Sequence, residues 1–166
     1  MSQLRQLLFK HPAHFCSLGF GSGLAPKAPG TFGTIAGLPL LWGMWELSIP
    51  VAVPLIVLGF IWGVWCTDKT SKAMGYDDPG AIVWDEIIGV LVAGLPLMFF
   101  EIPMSSRLQL ICLLVVFGLF RLFDIAKPFP VSWADRRYHG GFGIMLDDLL
   151  AGVLASLAFT LFLFFL

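Results

Sequence analysis

Charge is what this chain has least of: Asp, Glu, Lys and Arg together make up 13% of its 166 residues, about half the share in an ordinary soluble domain. A formal net charge of −1 leaves no global basic field, which argues against nucleic acid as a partner. Cysteine is scarce too. Cys16, Cys66 and Cys112 are odd in number, scattered and without a CxxC pair. No disulfide framework is therefore expected, and the two cysteines inside apolar runs read as small core residues. The N-terminal stretch MSQLRQLLFKHPAHF lacks the long apolar core and small-residue cleavage site of a secretory signal; it reads as a short amphipathic lead-in at a membrane surface.

Familiar catalytic signatures are missing as well. No Cys is followed by Arg six residues on, and there is no DxDxT, PSGH, HExxH or GxxxxGK[ST]. These absences remove the cysteine and histidine phosphatases, the aspartyl-nucleophile enzymes, the zinc hydrolases and the P-loop enzymes. With no obvious nucleophile for covalent chemistry, metal-activated water is what remains.

What the chain has in abundance is apolar side chain. Hydrophobic residues make up 58%, more than a soluble domain of this size could hide, whereas a bilayer would cover them. Five apolar segments, at 34–48, 51–67, 82–100, 107–123 and 148–166, predict an all-α, membrane-embedded bundle of about five helices, some re-entrant or interfacial. Pro39 and Glu46 mark the first as one that tilts, kinks or dips. The chain reads as one integral-membrane domain over 1–166, with an interfacial arm and Gly/Pro-rich loop at 1–33 and the bundle at 34–166.

The few charges are shared unevenly. If each segment crosses once, nine of the ten basic residues fall on one side, in the N-terminal arm and in the 68–81 and 121–147 connections. Arg107 alone falls on the other. The positive-inside rule then places the basic side in the cytoplasm. Most carboxylates follow it, leaving only Glu46 and Glu101 at the far face.

Asp85 and Glu86 in VWDEIIG, Asp124 in RLFDIAKPFP, and Asp147 and Asp148 in IMLDDLLAG stand at three segment ends on that side. Brought together, they would repel and raise one another's pKa unless a cation held them. Hard oxygen donors without His or Cys suit magnesium or manganese. Helix capping is the alternative, worth about 0.3–1 kcal/mol for an Asp at a helix N-terminus. It explains one Asp per helix, but neither doublets nor Asp124 at a C-terminal end. Arg121 and Asp124 are three apart and can form a simple helical ion pair, and Lys127, just before Pro128, can complement a helix C-terminus. The functional reading of both cations is neutralisation of an anionic substrate. The stretch GFGSGLAPKAPGTFGT at 19–34 is a loop in which Thr31 or Thr34 can cap the first helix. It either offers backbone N–H groups to a phosphate or merely turns the chain into the bilayer. His139 can be a proton shuttle or incidental.

These four stretches, GFGSGLAPKAPGTFGT, DDPGAIVWDEIIG, RLFDIAKPFP and HGGFGIMLDDLLAG, span roughly residues 19–152, and together they resemble the phosphatidylglycerophosphatase A family. The resemblance implies a helical, multi-pass, magnesium-dependent enzyme of the bacterial cytoplasmic (inner) membrane, with its site facing the cytoplasm. Such enzymes convert phosphatidylglycerophosphate to phosphatidylglycerol and inorganic phosphate. The family pattern falls on Pro29, Gly30, Thr31, Asp78, Asp85, Glu86, Arg121, Asp124, Lys127, Asp135, Asp147 and Asp148. As metal ligands for Mg2+ it implies Asp78, Asp85, Glu86, Asp124, Asp147 and Asp148. Lys127 joins the last five of these as a catalytic group, and Thr31, Arg121, Lys127 and Asp135 would bind substrate. A metal-dependent phosphatidyltransferase is one rival, but it needs a fuller Asp–Gly–Ala–Arg signature than DDLLAG supplies. A small ion-coupled transporter is another, and predicts acids at mid-bilayer rather than at segment ends.

Overall fold

Proline and glycine mark many of the helix boundaries. The computed structural model describes residues 2–99 and 106–165. Two short helices, α1 (Ser2–Leu8) and α2 (Pro12–Ser17), form the N-terminal arm, followed by a tight 3-10 turn at Gly19–Leu24. Helix α3 (Pro29–Met44) starts on a proline, whose missing N–H costs nothing in a first turn. Helix α4 (Ile49–Met74) also has proline in its first turn and stops at Gly75, whose φ of 76° supplies the left-handed residue of a helix end. Helix α5 (Trp84–Ala93) gives way to a 3-10 turn at Leu95–Met98, and α6 (Ser106–Ala126) ends just before Lys127-Pro128. A short α7 (Val131–Arg137) precedes the last helix, α8 (Gly140–Leu163). Among the described residues there is no strand.

The all-α expectation is borne out, and the count of about five resolves into two classes. Helices α4, α6 and α8 are long and apolar enough to cross a membrane. Helix α3 has 16 residues and α5 only 10, roughly 24 and 15 Å of rise. The lengths differ from the apolar runs for a physical reason. Helices α4 and α8 continue past their apolar stretches through polar or glycine-rich turns that remain helical, so α8 begins at Gly140 and not at 148. Outward-facing Leu58 and Ile61 of α4, Leu110 and Leu114 of α6, and Leu157 and Leu161 of α8 are exposed. In water such surfaces are a liability; in hydrocarbon they are the solvated face. Glu101 lies outside the described residues.

The short α5 sits in the middle. It packs mainly against α8 and α3, touches α4 and α6 as well, and buries Ile87, Val90 and Ala93 completely. Its approach to α8 requires glycine on both sides. A Cβ on Gly152 would meet the Gly89 carbonyl oxygen at 2.5 Å, and one on Gly89 would meet the Asp148 carbonyl oxygen at 2.9 Å. This contact fixes the rotation of α8, and with it the direction of Asp148. Gly152→Ala should therefore destabilise the protein by about 1–3 kcal/mol through overpacking. Gly118→Ala on α6, where an added Cβ meets nothing within 4 Å, should be neutral or stabilising by about 1 kcal/mol. Thermal unfolding of both variants in detergent measures the difference.

Candidate active site

The first turns of α3 and α5, the last turn of α6 and the second and third turns of α8 meet at one end of the bundle. Asp85 and Glu86 occupy the first turn of α5, where the helix dipole favours negative charge. Asp147 and Asp148 do not cap anything. Helix α8 starts at Gly140, so the pair lies two turns inside, about 10 Å from the helix end and beyond the reach of capping. Tertiary contact holds those glycine-rich turns helical: Thr67 of α4 donates to the Gly141 carbonyl at 3.2 Å.

Adjacent residues on a helix point about 100° apart, and the Asp doublet uses that angle to join two clusters. The first is buried. One oxygen from each of Asp85, Glu86 and Asp148 lies within 4.8 Å of the others, a set that could hold a metal ion. Asp124 stands beside Asp148. Arg121 reaches Asp124 at 2.6 Å and Glu86 at 3.8 Å, and donates to the Thr34 hydroxyl at 3.5 Å. One guanidinium thus pairs with two of the four carboxylates. Asp85 Oδ1, Glu86 Oε2 and Arg121 Nε are buried with no hydrogen-bond partner. A Cβ on Gly30 would strike the Glu86 carboxylate, so glycine there leaves room for the cluster. Burial, then the neighbouring Glu86 and Asp148 charges, push Asp85 well above the usual carboxylate range. Burial likewise lifts Glu86 to about 7, against a hydrogen bond from Asp85 and the charge of Arg121, which pull it down.

The second cluster is more open. Lys127 bridges Asp135 and Asp147, the latter at 2.8 Å. Burial lowers the Lys127 pKa, but the hydrogen bonds to those two carboxylates more than offset it, leaving the ammonium above its ordinary value. Asp77, Asp78, Asp135, Asp147, Tyr138 and His139 line a narrow cleft of about 50 Å³ beside this bridge. Asp68 pairs with Lys72 at 2.6 Å and belongs to neither cluster.

Of the residues singled out in the sequence, Asp85, Glu86, Asp148, Asp124 and Arg121 come together, while Lys127, Asp135, Asp147 and Asp78 form the adjoining group. Thr31 lies half-buried in the first turn of α3, and it is Thr34, one turn on, that meets Arg121. Neither threonine caps α3. The capping position is Ala28, with a left-handed backbone, and the Thr34 hydroxyl instead donates to the Gly30 carbonyl at 2.9 Å. Thr34 was legible as part of the site only through its spacing: Gly30 and Thr34 are four apart, on one helical face. His139, a proton shuttle or incidental by sequence, lines the cleft together with Asp77, a position outside the family pattern; Tyr138 joins them without any sequence signal.

Membrane-length apolar helices, with carboxylates, a guanidinium and an ammonium gathered at one end of their bundle, define a helical membrane protein with an acid-rich site at that end. Residues 15–163 match the family Phosphatidylglycerophosphatase A. The chain is 38% identical over 151 residues to the phosphatidylglycerophosphatase A of Escherichia coli (strain K12), covering 91% of this chain and 83% of that protein. It is 39% identical over 157 residues to the protein of that name from Haemophilus influenzae (strain ATCC 51907 / DSM 11121 / KW20 / Rd), covering 92% and 89%. A Bacteroides thetaiotaomicron protein, described provisionally as a phosphatidylinositol-3-phosphatase, is 36% identical over 141 residues, covering 81% and 83%. No solved structure matches the chain. The chain belongs to the phosphatidylglycerophosphatase A family and is a phosphatase, a phosphoric monoester hydrolase.

The raised Glu86 carries a pH consequence. In the unfolded chain it loses its proton near 4.5, in the fold near 7. Between those values the folded state binds the extra proton, so stability falls as pH rises through the window. Thermal unfolding of the chelator-treated protein should show this fall, and Glu86→Gln should flatten it; an unchanged slope in the variant would assign the pH dependence elsewhere.

Proposed function

We propose that this phosphatase hydrolyses phosphatidylglycerophosphate to phosphatidylglycerol and inorganic phosphate, using magnesium, at the cytoplasmic face of the bacterial inner membrane. The observation that carries the metal is the pair of orphaned oxygens. Buried carboxylates without partners cost several kcal/mol of lost solvation, and Asp85 Oδ1 and Glu86 Oε2 are both in that state. The donor set is all carboxylate oxygen, which fits a hard divalent cation. Asp85, Glu86 and Asp148 would hold it, with Asp124 beside them; Asp147 and Asp78 stand on the Lys127 side. When bound, magnesium supplies Lewis-acid polarisation of the phosphoryl group and of the attacking water.

The chain's own residues account for the rest. Arg121 keeps one buried N–H unpartnered, and a phosphate oxygen is an acceptor that would satisfy it. Lys127 can exchange one of its two carboxylate partners for the dianion. Water attacks phosphorus as the ester P–O bond breaks; a carboxylate not engaged with the cation takes the water's proton, and the released alkoxide is protonated to the lipid alcohol. The names of the Escherichia coli and Haemophilus influenzae relatives favour phosphatidylglycerophosphate as substrate. That of the Bacteroides thetaiotaomicron relative favours a second lipid phosphomonoester, phosphatidylinositol 3-phosphate. The phosphatidyltransferase reading has no support among these relatives. The transporter reading requires acids at mid-bilayer, whereas these gather at one end of the bundle.

The cytoplasmic orientation rests on the nine basic residues assigned to the site's side. A reporter fused to the end of α8 should be active only outside the cytoplasm; cytoplasmic activity would reverse the orientation. The chemistry is tested by phosphate release from both lipids. Asp148→Asn keeps the size but removes the charge that would hold the cation. It should lose most activity at low magnesium, recover part of it at high magnesium, and leave metal-free unfolding nearly unchanged. Magnesium curves superimposable on the parent's would remove Asp148 from the site.

A further inference from the structure

The site lies at the end of a bundle in which several helical seams are closed. The α4–α5 seam is tied by the Trp84 indole donating to the Gly59 carbonyl at 3.0 Å. The α4–α8 seam is tied by the Thr67 bond to Gly141. Between α6 and α8, Cys112, Val116, Phe120 and Phe159 are fully buried. Helix α3 packs along α5 but meets α6 sparsely. At the site end Arg121 and Thr34 meet across that seam at 3.5 Å, the outer limit of a hydrogen bond.

Away from the site, the same seam opens into a groove of about 210 Å³ lined by Trp42, Gln109, Leu110 and Leu113. On α6, Leu110, Leu113, Phe117 and Arg121 recur at three- and four-residue spacing and so share one face. From Leu110 to Arg121 the helix rises about 16 Å, close to the ~15 Å depth of one leaflet of a ~30 Å hydrocarbon core. A lipid whose phosphate sits against Arg121 therefore has its chain ends at the level of Leu110.

We propose that the α3–α6 seam is the acyl-chain site of the substrate, and that a lipid phosphomonoester reaches the carboxylates sideways from the bilayer between Thr34 and Arg121. The occupant is a long acyl chain of the substrate, and the seam sets chain-length preference. This rests on the lipid phosphatase reading above.

Two experiments on the full-length protein in lipid nanodiscs test it. In the first, phosphatidylglycerophosphate carrying an acyl-chain diazirine is cross-linked. The proposal expects labelling at Trp42, Leu110 and Leu113 well above that at Leu58 and Ile61 of α4 or Leu157 of α8, and above that given by an acyl-matched diazirine phosphatidylcholine. Even labelling over all outward faces, or equal labelling of the seam by both lipids, overturns it by making the seam ordinary lipid contact. In the second, the groove is filled from α6 by Leu113→Trp, and by Leu110→Trp at a largely exposed position where folding should survive. Leu113→Trp and Leu110→Trp should each raise the ratio of KM for dioleoyl over dihexanoyl substrate at least fivefold, while Leu157→Trp leaves it unchanged. A ratio within twofold of the parent's in both seam variants overturns the proposal. A parent protein that hydrolyses neither lipid overturns the substrate assignment instead, and the cross-link still reads the seam independently.

Discussion

Like charges crowded into an apolar bundle are the constraint from which the rest of this structure follows. Oxygens of Asp85, Glu86 and Asp148 lie within 4.8 Å of one another, and at about 4 Å two unit charges repel by about 4 kcal/mol in the effective dielectric of a protein. Hydrophobic burial cannot create such an arrangement; it can only tolerate one that is compensated. Compensation is built in from the backbone outward. The α5 dipole lies under two of the acids, Arg121 reaches two of the carboxylates, and the Gly89–Gly152 contact holds α8 close enough for Asp148 to complete the group. What remains uncompensated is the pair of orphaned oxygens, the observation on which the proposed cation rests.

The two basic residues divide the work by their surroundings. Arg121 sits on a membrane-length helix with 16% of its side chain exposed, where a delocalised guanidinium is cheaper to desolvate than an ammonium. Lys127 lies just past the end of that helix with 32% exposed, closer to water and paired with both Asp135 and Asp147. The Asp147–Asp148 doublet spans the two environments because neighbouring residues on a helix diverge by about 100°. A substrate phosphate held between Arg121 and Lys127 would thus lie on the line where carboxylate cluster, water and hydrocarbon meet.

That line is also where a lipid phosphomonoester presents itself, so the depth of the site is part of its function. Helices α4, α6 and α8 expose rows of leucine, isoleucine and valine that only hydrocarbon solvates, and the acids gather at one end of those rows. The enzyme need not lift its substrate out of the bilayer. On the proposed route it would need only an opening between two helices, and α3 and α6 pack sparsely.

Composition and pattern alone determined the helical membrane class, because a 58% apolar chain with periodic breaks has few other ways to satisfy its backbone. They also singled out the ionisable side chains beside apolar runs, which are costly unless used and which the fold gathers at one end of the bundle. Helix lengths were not legible: polar turns such as TDKTSKAM and glycine-rich GGFG stay helical only because neighbouring helices pack against them. The role of Asp147 and Asp148 as something other than caps followed from that, since only the true start of α8 at Gly140 puts them two turns inside. Likewise, linear spacing could not separate Asp148, facing Asp85, from Asp147, facing Lys127; the rotation of α8 against α5, set where two glycines let the backbones touch, decided it.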